Sequence, residues 1–326
     1  MKTLIAGIGA LGGTLATRAL AAGMPVSLAT RSAESAKALR ASGLRLSGVG
    51  GPASAHTPNV AAASEVRETF ELIVLATKAQ DALGAAPFLA TLLVPGGTLL
   101  CIQNGGVSQL LAEKLGCDVL LGGLSNLGAT LLEPGVYEQR NAGHLLIGEI
   151  GGGVTERAAR VAQFLSGAIE TRTTANLRGA VWSKLLVNCS VTTLGAVAGQ
   201  TMRQYVASKA GRALFRRAYD EALAVARASG AEPQKMIVDP VPPRGADDAW
   251  LDQLLAAYGD LKPSMLQDFE RGRRTEIDFI NGYVAALGRK LGVPVATNEA
   301  ITGLVHRIEQ GQARPHPDRL AELSGA

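Results

Sequence analysis

Thr3-Leu-Ile-Ala-Gly7-Ile-Gly9-Ala-Leu-Gly12 is the stretch that decides the fold of this chain. An apolar run of strand length leads into glycines spaced as GxGxxG, and a segment of helical period, Thr14–Ala22, follows them. In this order, strand, turn and helix place backbone N–H groups and a helix dipole where a pyrophosphate can bind. The alternative is a tight turn that holds no ligand. The residues that we expect to contact a dinucleotide are Gly7, Ile8, Gly9, Ala10, Leu11 and Gly12.

The first half of the chain continues this pattern. Short apolar runs alternate with longer segments of helical period, which predicts βαβ units and a Rossmann-type domain over residues 1–172. Between Thr130 and Gly148 the pattern indicates antiparallel strands around a Pro134-Gly135 turn, which we expect to extend the sheet at one edge. The predicted parallel strands are Thr3–Ala6, Val26–Thr30, Leu72–Ala76, Thr98–Gln103 and Val119–Leu121.

The second half, residues 173–326, is predicted to be an all-α domain because helical periodicity dominates it. The proline-rich stretch 239–248 indicates an exposed loop between helices. After Arg314-Pro-His-Pro317 only a short helical segment, Leu320–Leu323, remains. We expect this tail to be a peripheral extension.

The end of the second strand indicates which dinucleotide binds. No carboxylate stands there to accept hydrogen bonds from a ribose 2′-hydroxyl, and Arg31 and Ser32 follow Thr30 instead. A guanidinium beside a hydroxyl suits the 2′-phosphate of NADPH, so the first domain is predicted to bind NADP. The alternative is an arginine that only covers the adenine ring.

Two later loops, also following predicted strands, carry polar side chains at the same edge of the sheet. Lys78 is a candidate to neutralise a cofactor phosphate, and Asn104 is a candidate to orient the nicotinamide ribose or a substrate. A simple loop lysine and a turn-forming Asn-Gly pair are the alternatives.

Composition narrows the class of protein. The formal charge of +4 is spread along 326 residues, which favours small anionic ligands over nucleic acid. No long apolar run lacks charge, three cysteines are widely separated, and four histidines lack ligand spacing, so we expect a cytoplasmic protein with no membrane segment, disulfide or metal. Glycines and Arg18 in the first twenty residues argue against a signal peptide.

Two clusters in the helical half carry candidate catalytic groups. Lys184 and Asn188 share a helix face within an apolar segment, where partial desolvation makes a lysine a readier proton donor. A solvated helix face is the alternative. Further along, Ser264 and Glu276 are candidates, but Ser264 also suits a helix N-cap and Thr275–Asp278 a capping box.

Taken together, residues 1 to about 310 resemble the ketopantoate reductase family. The resemblance rests on GxGAxG at Gly7, on Arg31, on the motifs around Lys78 and Asn104, on Lys184 with Asn188, and on Ser264-Met-Leu-Gln-Asp268 leading to Glu276-Ile-Asp278-Phe-Ile-Asn281-Gly282. It implies a Rossmann domain joined to an all-α domain similar to the C-terminal domain of 6-phosphogluconate dehydrogenase, with the active site in the cleft.

The resemblance also implies an activity and residue roles. The activity is NADPH-dependent reduction of 2-dehydropantoate to (R)-pantoate on the route to pantothenate and coenzyme A. Lys184 would be the general acid and Glu276 would orient it or hold the substrate hydroxyl, while Asn104, Asn188 and Ser264 would bind the 2-oxo acid. A homodimer is an assembly that the sequence allows.

One segment departs from the family pattern. Thr192 and Met202 stand near places where the family carries further polar substrate ligands, and we expect Thr192 to serve as such a ligand here. Substrate identity depends on pairing these polar groups, so a reductase of another 2-oxo or β-hydroxy acid is the alternative. A non-catalytic NADP(H)-sensing protein is the alternative from another class.

Overall fold

The computed structural model describes residues 1–241 and 247–324. The chain divides into two compact units, one of Met1–Gln103 with Val107–Leu177 and one of Asn104–Gly106 with Arg178–Ala326. The boundary predicted between residues 172 and 173 lies inside the strand Thr171–Thr173 of the first unit.

The first unit is an α/β domain. Its strands are β1 (Thr3–Ala6), β2 (Val26–Thr30), β3 (Leu44–Gly48), β4 (Ala53–Ala55), β5 (Val60–Ala62), β6 (Phe70–Leu75), β7 (Leu93–Cys101), β8 (Leu120–Ser125), β9 (Ala129–Glu133), β10 (Val136–Gln139), β11 (Leu145–Glu149) and β12 (Thr171–Thr173). Its helices are α1 (Ala10–Ala21), α2 (Ala33–Ser42), α3 (Ala79–Ala90), α4 (Val107–Leu115) and α5 (Glu156–Leu165), with a 3₁₀ turn at Ala63–Glu65.

Eight of these strands form the main sheet in the order β12-β11-β8-β7-β6-β1-β2-β5. Neighbours pair in parallel except β8 with β11, which are antiparallel. The five predicted parallel strands are confirmed, β1 and β2 with the predicted bounds and the others with shifted ends. The side chains of β6 from Leu72 to Leu75 are fully buried, as expected of a central strand covered on both faces.

The antiparallel strands predicted around the Pro134-Gly135 turn are confirmed as β9 and β10, and β11 extends the main sheet as expected, but the placement of β9 and β10 in that sheet is wrong. These two strands form a second sheet in the order β4-β3-β10-β9, and β10 pairs in parallel with β3, which the pattern did not predict. The reason is tertiary: the second sheet packs against α1, and the fully buried ring of Tyr137 lies directly over Gly13. The Tyr137 hydroxyl donates to the carbonyl oxygen of Ile8 at 3.4 Å.

The second unit is all-α, as predicted. Its helices are α6 (Leu177–Val187), α7 (Thr193–Ala198), α8 (Met202–Val206), α9 (Lys209–Ala228), α10 (Asp247–Tyr258), α11 (Ser264–Glu270), α12 (Asn281–Leu291), α13 (Ala296–Glu309) and α14 (Arg319–Ser324), with a π-helical turn at Asn188–Thr192 and a 3₁₀ turn at Ile277–Phe279. Buried aromatic rings of Trp182, Tyr205, Phe215, Tyr219 and Trp250 fill its core.

One helical stretch, Leu177–Ala198, meets a length and hydropathy criterion for a membrane span. In its most apolar window 78% of the residues are buried inside the protein, which is typical of the central helix of a globular domain. It is the helix on which Lys184 and Asn188 stand.

The C-terminal tail is not the peripheral extension that the sequence suggested. The predicted helical segment exists, as α14, but its Leu320 and Leu323 are buried in the core of the second unit against α7 and α9. The two leucines lie three residues apart on one helix face, which is enough to dock a short helix. Of the predicted loop 239–248, residues 242–246 lie outside the described residues.

Candidate active site

The glycine-rich turn after β1 is shaped by backbone contacts that exclude side chains. Gly7 has a φ of 98°, and a Cβ on it would stand 2.5 Å from the Thr77 amide nitrogen. A Cβ on Gly12 would stand 2.0 Å from the carbonyl oxygen of Gly7. Around Gly9 the opposite holds, since no atom of the described residues lies within 4 Å of the place of its Cβ. The turn is therefore closed on its inner side and open at Gly9.

Helix α1 begins at this open side, and the backbone N–H groups of its first turn are available to donate to a ligand. No side chain caps it, no acidic residue stands in its first turn, and its first intrahelical bond runs from Gly13 N–H to Gly9 O at 2.7 Å. The N–H groups of Ala10, Leu11 and Gly12 therefore point out of the helix end. Three donors and the positive end of a helix dipole fit a pyrophosphate.

The carboxyl ends of β6 and β7 offer further polar atoms. Gln103 donates through Nε2 to the carbonyl oxygens of Leu75 and Thr77, at 2.7 and 3.0 Å. Among the described residues, the buried Gln103 Oε1 and Thr77 Oγ1 have no hydrogen-bond partner. A bound ligand at this edge would satisfy both atoms, whose isolation otherwise costs free energy. Lys78 follows as the half-buried N-terminal flanking residue of α3.

Arg31 and Ser32 lie where the sequence predicted, directly after β2. The Arg31 side chain is 88% exposed, and its guanidinium stands 3.7 Å from the Asp81 carboxylate. At this exposure the ion pair adds little stability and leaves the guanidinium able to meet a phosphate. The Ser32 hydroxyl accepts a hydrogen bond from Ser35 N–H at 3.2 Å and so caps α2.

Lys184 lies on α6 of the second unit, among buried Trp182, Leu185 and Leu186. Burial lowers the pKa of its ammonium from 10.5 to about 8, and the nearby Glu276 carboxylate opposes that shift by favouring the charged form. A lysine with this pKa holds a proton at neutral pH and releases it more readily than an exposed lysine.

Glu276 receives a hydrogen bond from Asn104, whose Nδ2 donates to Oε2 at 3.2 Å. The two residues are 172 positions apart. The loop of Asn104 is held by Gly106 N–H, which donates to Phe279 O at 3.0 Å, and Gly105 has a φ of 75°. A Cβ on Gly105 would stand 2.0 Å from Phe279 O, so the glycine permits the close approach of the loop to the Glu276 segment.

The capping box considered for Thr275–Asp278 does not form. The N–H and the hydroxyl of Thr275 both donate to Glu309 Oε1 at 2.7 Å, and its hydroxyl accepts from Ile277 N–H at 3.3 Å. This clamp fixes the backbone on both sides of Glu276. The sequence did not single out Glu309, which lies 34 positions from Thr275 on α13.

Asn188 and Thr192 stand at the two ends of the π-helical turn, and the Thr192 hydroxyl donates to Asn188 Oδ1 at 3.4 Å.

Ser264 is exposed and is the first residue of α11. No side chain caps that helix, so the interpretation of Ser264 as an N-cap is wrong. Met202 is fully buried in the core.

The predicted residues thus fall into groups. In the second unit, one cluster is formed by Asn104, Lys184 and Glu276. Asn188 and Thr192 follow Lys184 on the same helical stretch. Ser264 begins helix α11, which packs on α7. Within residues 1–241 and 247–324, no group of three or more His, Cys, Asp or Glu side chains could hold a metal ion. The residues predicted to bind cofactor, Asn104 excepted, lie in the first unit, Gly7 to Gly12, Arg31 and Lys78.

Two family models match the chain. The model described as ketopantoate reductase PanE/ApbA matches residues 3–152, and the one described as ketopantoate reductase PanE/ApbA C terminal matches residues 176–309. The 2-dehydropantoate 2-reductase of Halobacterium salinarum is 31% identical over 313 residues, covering 95% of this chain and 99% of the relative.

Solved structures agree with these matches. The PanE/ApbA family ketopantoate reductase of Ralstonia eutropha JMP134 superposes with a TM-score of 0.80 at 28% identity, covering 96% of this chain and 99% of the other. D-mandelate dehydrogenase with NADH and anilino(oxo)acetate has a TM-score of 0.82 at 24% identity, over 95% of this chain and 99% of the other, and shares the fold. This chain belongs to the ketopantoate reductase family and is an oxidoreductase that acts on a CH–OH group.

Proposed function

We propose that this protein uses NADPH to reduce 2-dehydropantoate to (R)-pantoate, with Lys184 as the general acid. The observation that carries the proposal is the half-buried Lys184 residue, whose ammonium pKa is lowered by burial, near the Glu276 carboxylate. Perturbed titratable groups of this kind mark catalytic sites. The names of the curated relatives supply the substrate.

In this proposal the residues of the first unit bind the cofactor NADPH. The open N–H groups of Ala10, Leu11 and Gly12 would hold the pyrophosphate, and the exposed Arg31 guanidinium would pair with the 2′-phosphate. Lys78 would neutralise a further phosphate charge. When bound, NADPH supplies the hydride that adds to the keto carbon.

The proton comes from the second unit. As the carbonyl oxygen gains charge, the Lys184 ammonium donates a proton to it and leaves the alcohol of a 2-hydroxy acid. The Glu276 carboxylate favours the charged lysine, and Asn104 holds Glu276 by a hydrogen bond. Asn188, Thr192 and Ser264 would bind the carboxylate and hydroxyl of the substrate.

A second candidate substrate class is another 2-oxo acid. It is favoured by Met202, which lies in the core, and by Thr192, whose hydroxyl is directed to Asn188. Both observations leave fewer polar groups to match the hydroxyl of 2-dehydropantoate. A small acid with an apolar side chain would suit such a site.

Initial rates of NADPH oxidation with 2-dehydropantoate and a panel of 2-oxo acids test the proposal. We expect the highest kcat/KM with 2-dehydropantoate and NADPH. A higher kcat/KM with another acid would reassign the substrate, and NADPH binding without turnover of any acid would leave only a dinucleotide-binding role. We further propose a cytoplasmic enzyme of pantothenate biosynthesis whose partners are small molecules.

A further inference from the structure

The helix that carries Lys184 changes register immediately after it. Over Asn188–Thr192 the turn is widened, and Thr193 N–H bonds to the carbonyl oxygen of Asn188, five residues earlier, instead of to that of Cys189. The helix then continues as α7. A π-helical turn of this kind is less favourable than the α-helix around it and is frequent at functional sites.

The widened turn changes which side chains share a face. In an unbroken α-helix a residue eight positions after Lys184 is rotated by about 80° around the axis, because each residue adds about 100°. One extra residue in the turn offsets about that much rotation. This rotation returns Thr192 toward the helix face of Lys184 and Asn188, and the Thr192 hydroxyl donates to Asn188 Oδ1 at 3.4 Å.

Two buried side chains occupy the carbonyl oxygens that an α-helical register would use. Asn281 Nδ2 donates to Cys189 O at 2.9 Å, and the Tyr205 hydroxyl donates to Ser190 O at 3.1 Å. In an α-helix these oxygens would accept from the N–H groups of Thr193 and Leu194. Both donors belong to other helices, so the widened turn is maintained from outside its own sequence.

Asn281 is itself fixed by its remaining hydrogen bonds. Its Oδ1 accepts from Thr193 Oγ1 at 2.8 Å, and that hydroxyl also reaches Asn188 O at 2.6 Å. Its Nδ2 also bonds to Asn298 Oδ1 at 2.9 Å. Asn281 and Asn298 are completely buried, and a buried amide whose partners are all present holds one orientation strongly.

We propose that Asn281 is a positioning residue that keeps the Asn188–Thr192 turn in π register and thereby aligns the substrate-binding side chains with Lys184. The inference rests on the proposed function for the identity of the bound acid. Its structural part, the control of helix register by Asn281, does not. Asn281 touches the helix backbone and makes no contact with the side chains of Lys184, Asn188 or Thr192 among the described hydrogen bonds.

The substitution Asn281→Leu removes the donor to Cys189 O at nearly constant volume. In a crystal structure of this variant we expect Thr193 N–H to bond to Cys189 O, so that the turn becomes α-helical. We expect KM for the 2-oxo acid to rise at least about tenfold, as for the loss of one polar contact to a charged substrate. The dissociation constant of NADPH should stay within about twofold, since the predicted cofactor residues other than Asn104 lie in the first unit.

Tyr219→Phe is the control. It removes a buried hydroxyl of the same unit that donates to Pro240 O at 2.8 Å, with no hydrogen bond to Asn281 or to the turn among the described contacts. We expect a fall in melting temperature and a KM within about threefold of wild type. Equal kinetic effects in the two variants would reduce Asn281 to a structural role and overturn the proposal.

Further experiments cover the cases in which Asn281→Leu does not fold or the wild-type protein reduces no 2-oxo acid. If Asn281→Leu does not fold, Tyr205→Phe is the second variant, because it removes only the hydroxyl that donates to Ser190 O. We expect it to raise the KM for the 2-oxo acid by a smaller factor and to leave the Kd of NADPH unchanged. An unchanged KM would count against the proposal. A π register that persists in Asn281→Leu overturns it whatever the activity. If wild type reduces no 2-oxo acid, the proposed function fails, while the register change still tests the structural part.

Discussion

The glycine turn of the first unit and the lysine cluster of the second unit are built in opposite ways. The turn is formed by backbone atoms within Gly7–Gly12, and what matters there is the absence of Cβ atoms. The cluster is formed by side chains from Asn104, Lys184 and Glu276, which lie far apart in the sequence. The backbone site has no room for a Cβ at Gly7 or Gly12, whereas the side-chain site depends on the residues that orient it.

The largest expected effect comes from removing the proton donor of the side-chain site. Lys184→Ala should lower kcat by about 100-fold to 10,000-fold, the range for loss of a general acid, and leave the Kd of NADPH nearly unchanged. Steady-state rates and fluorescence titration of NADPH measure the two quantities. Lys290→Ala, at an exposed lysine of α12, is the control and should keep wild-type rates. Unaltered turnover in Lys184→Ala would refute the assigned role.

The backbone site is tested by adding a single methyl group. In Gly12→Ala the new Cβ meets the Gly7 carbonyl oxygen, and we expect NADPH binding to weaken by about 3 kcal/mol, roughly 150-fold, with a lower melting temperature. Gly84→Ala is the control, because no described atom lies near that position on α3. It should be neutral or stabilise the helix by about 0.5 to 1 kcal/mol. Equal affinity in both variants would show that the turn does not hold the cofactor.

A smaller effect is expected from Arg31, a charged side chain that lies after β2 in the same unit as the glycine turn. Arg31→Ala should weaken NADPH binding by about 1 to 3 kcal/mol and leave NADH binding unchanged, because only NADPH carries the 2′-phosphate. Calorimetric titration with both dinucleotides measures the difference. Equal losses for NADPH and NADH would mean that the guanidinium only covers the adenine ring.

The same contrast explains what could be predicted from the sequence. The turn, β1 and β2 follow from patterns within thirty residues, so their positions were predicted correctly. The second sheet was missed because β4 has three residues, all Ala or Ser, because β3 includes Arg, Ser and Gly among its five residues, and because β10 pairs with a strand about ninety positions earlier. Local pattern carries no information on such pairing.

The candidate site shows the same limit. Lys184 and Asn188 were found from their helical spacing, and the apolar surroundings of Lys184 predicted its partial burial. The Thr275–Glu309 clamp and the π turn were not predicted, because each depends on hydrogen bonds between segments distant in the sequence. The only signal available for Asn281 was its place in the motif that begins at Glu276.

The pH dependence of kcat/KM tests the role of Lys184 most directly. The general acid must be protonated, and its pKa is lowered to about 8, so activity should be constant below that pH and fall about tenfold per unit above it. In Lys184→Arg the remaining activity should lose this falling limb, because a guanidinium keeps its proton throughout the range. A wild-type profile that stays level from pH 7 to pH 10, or the same falling limb in Lys184→Arg, would contradict the proposal.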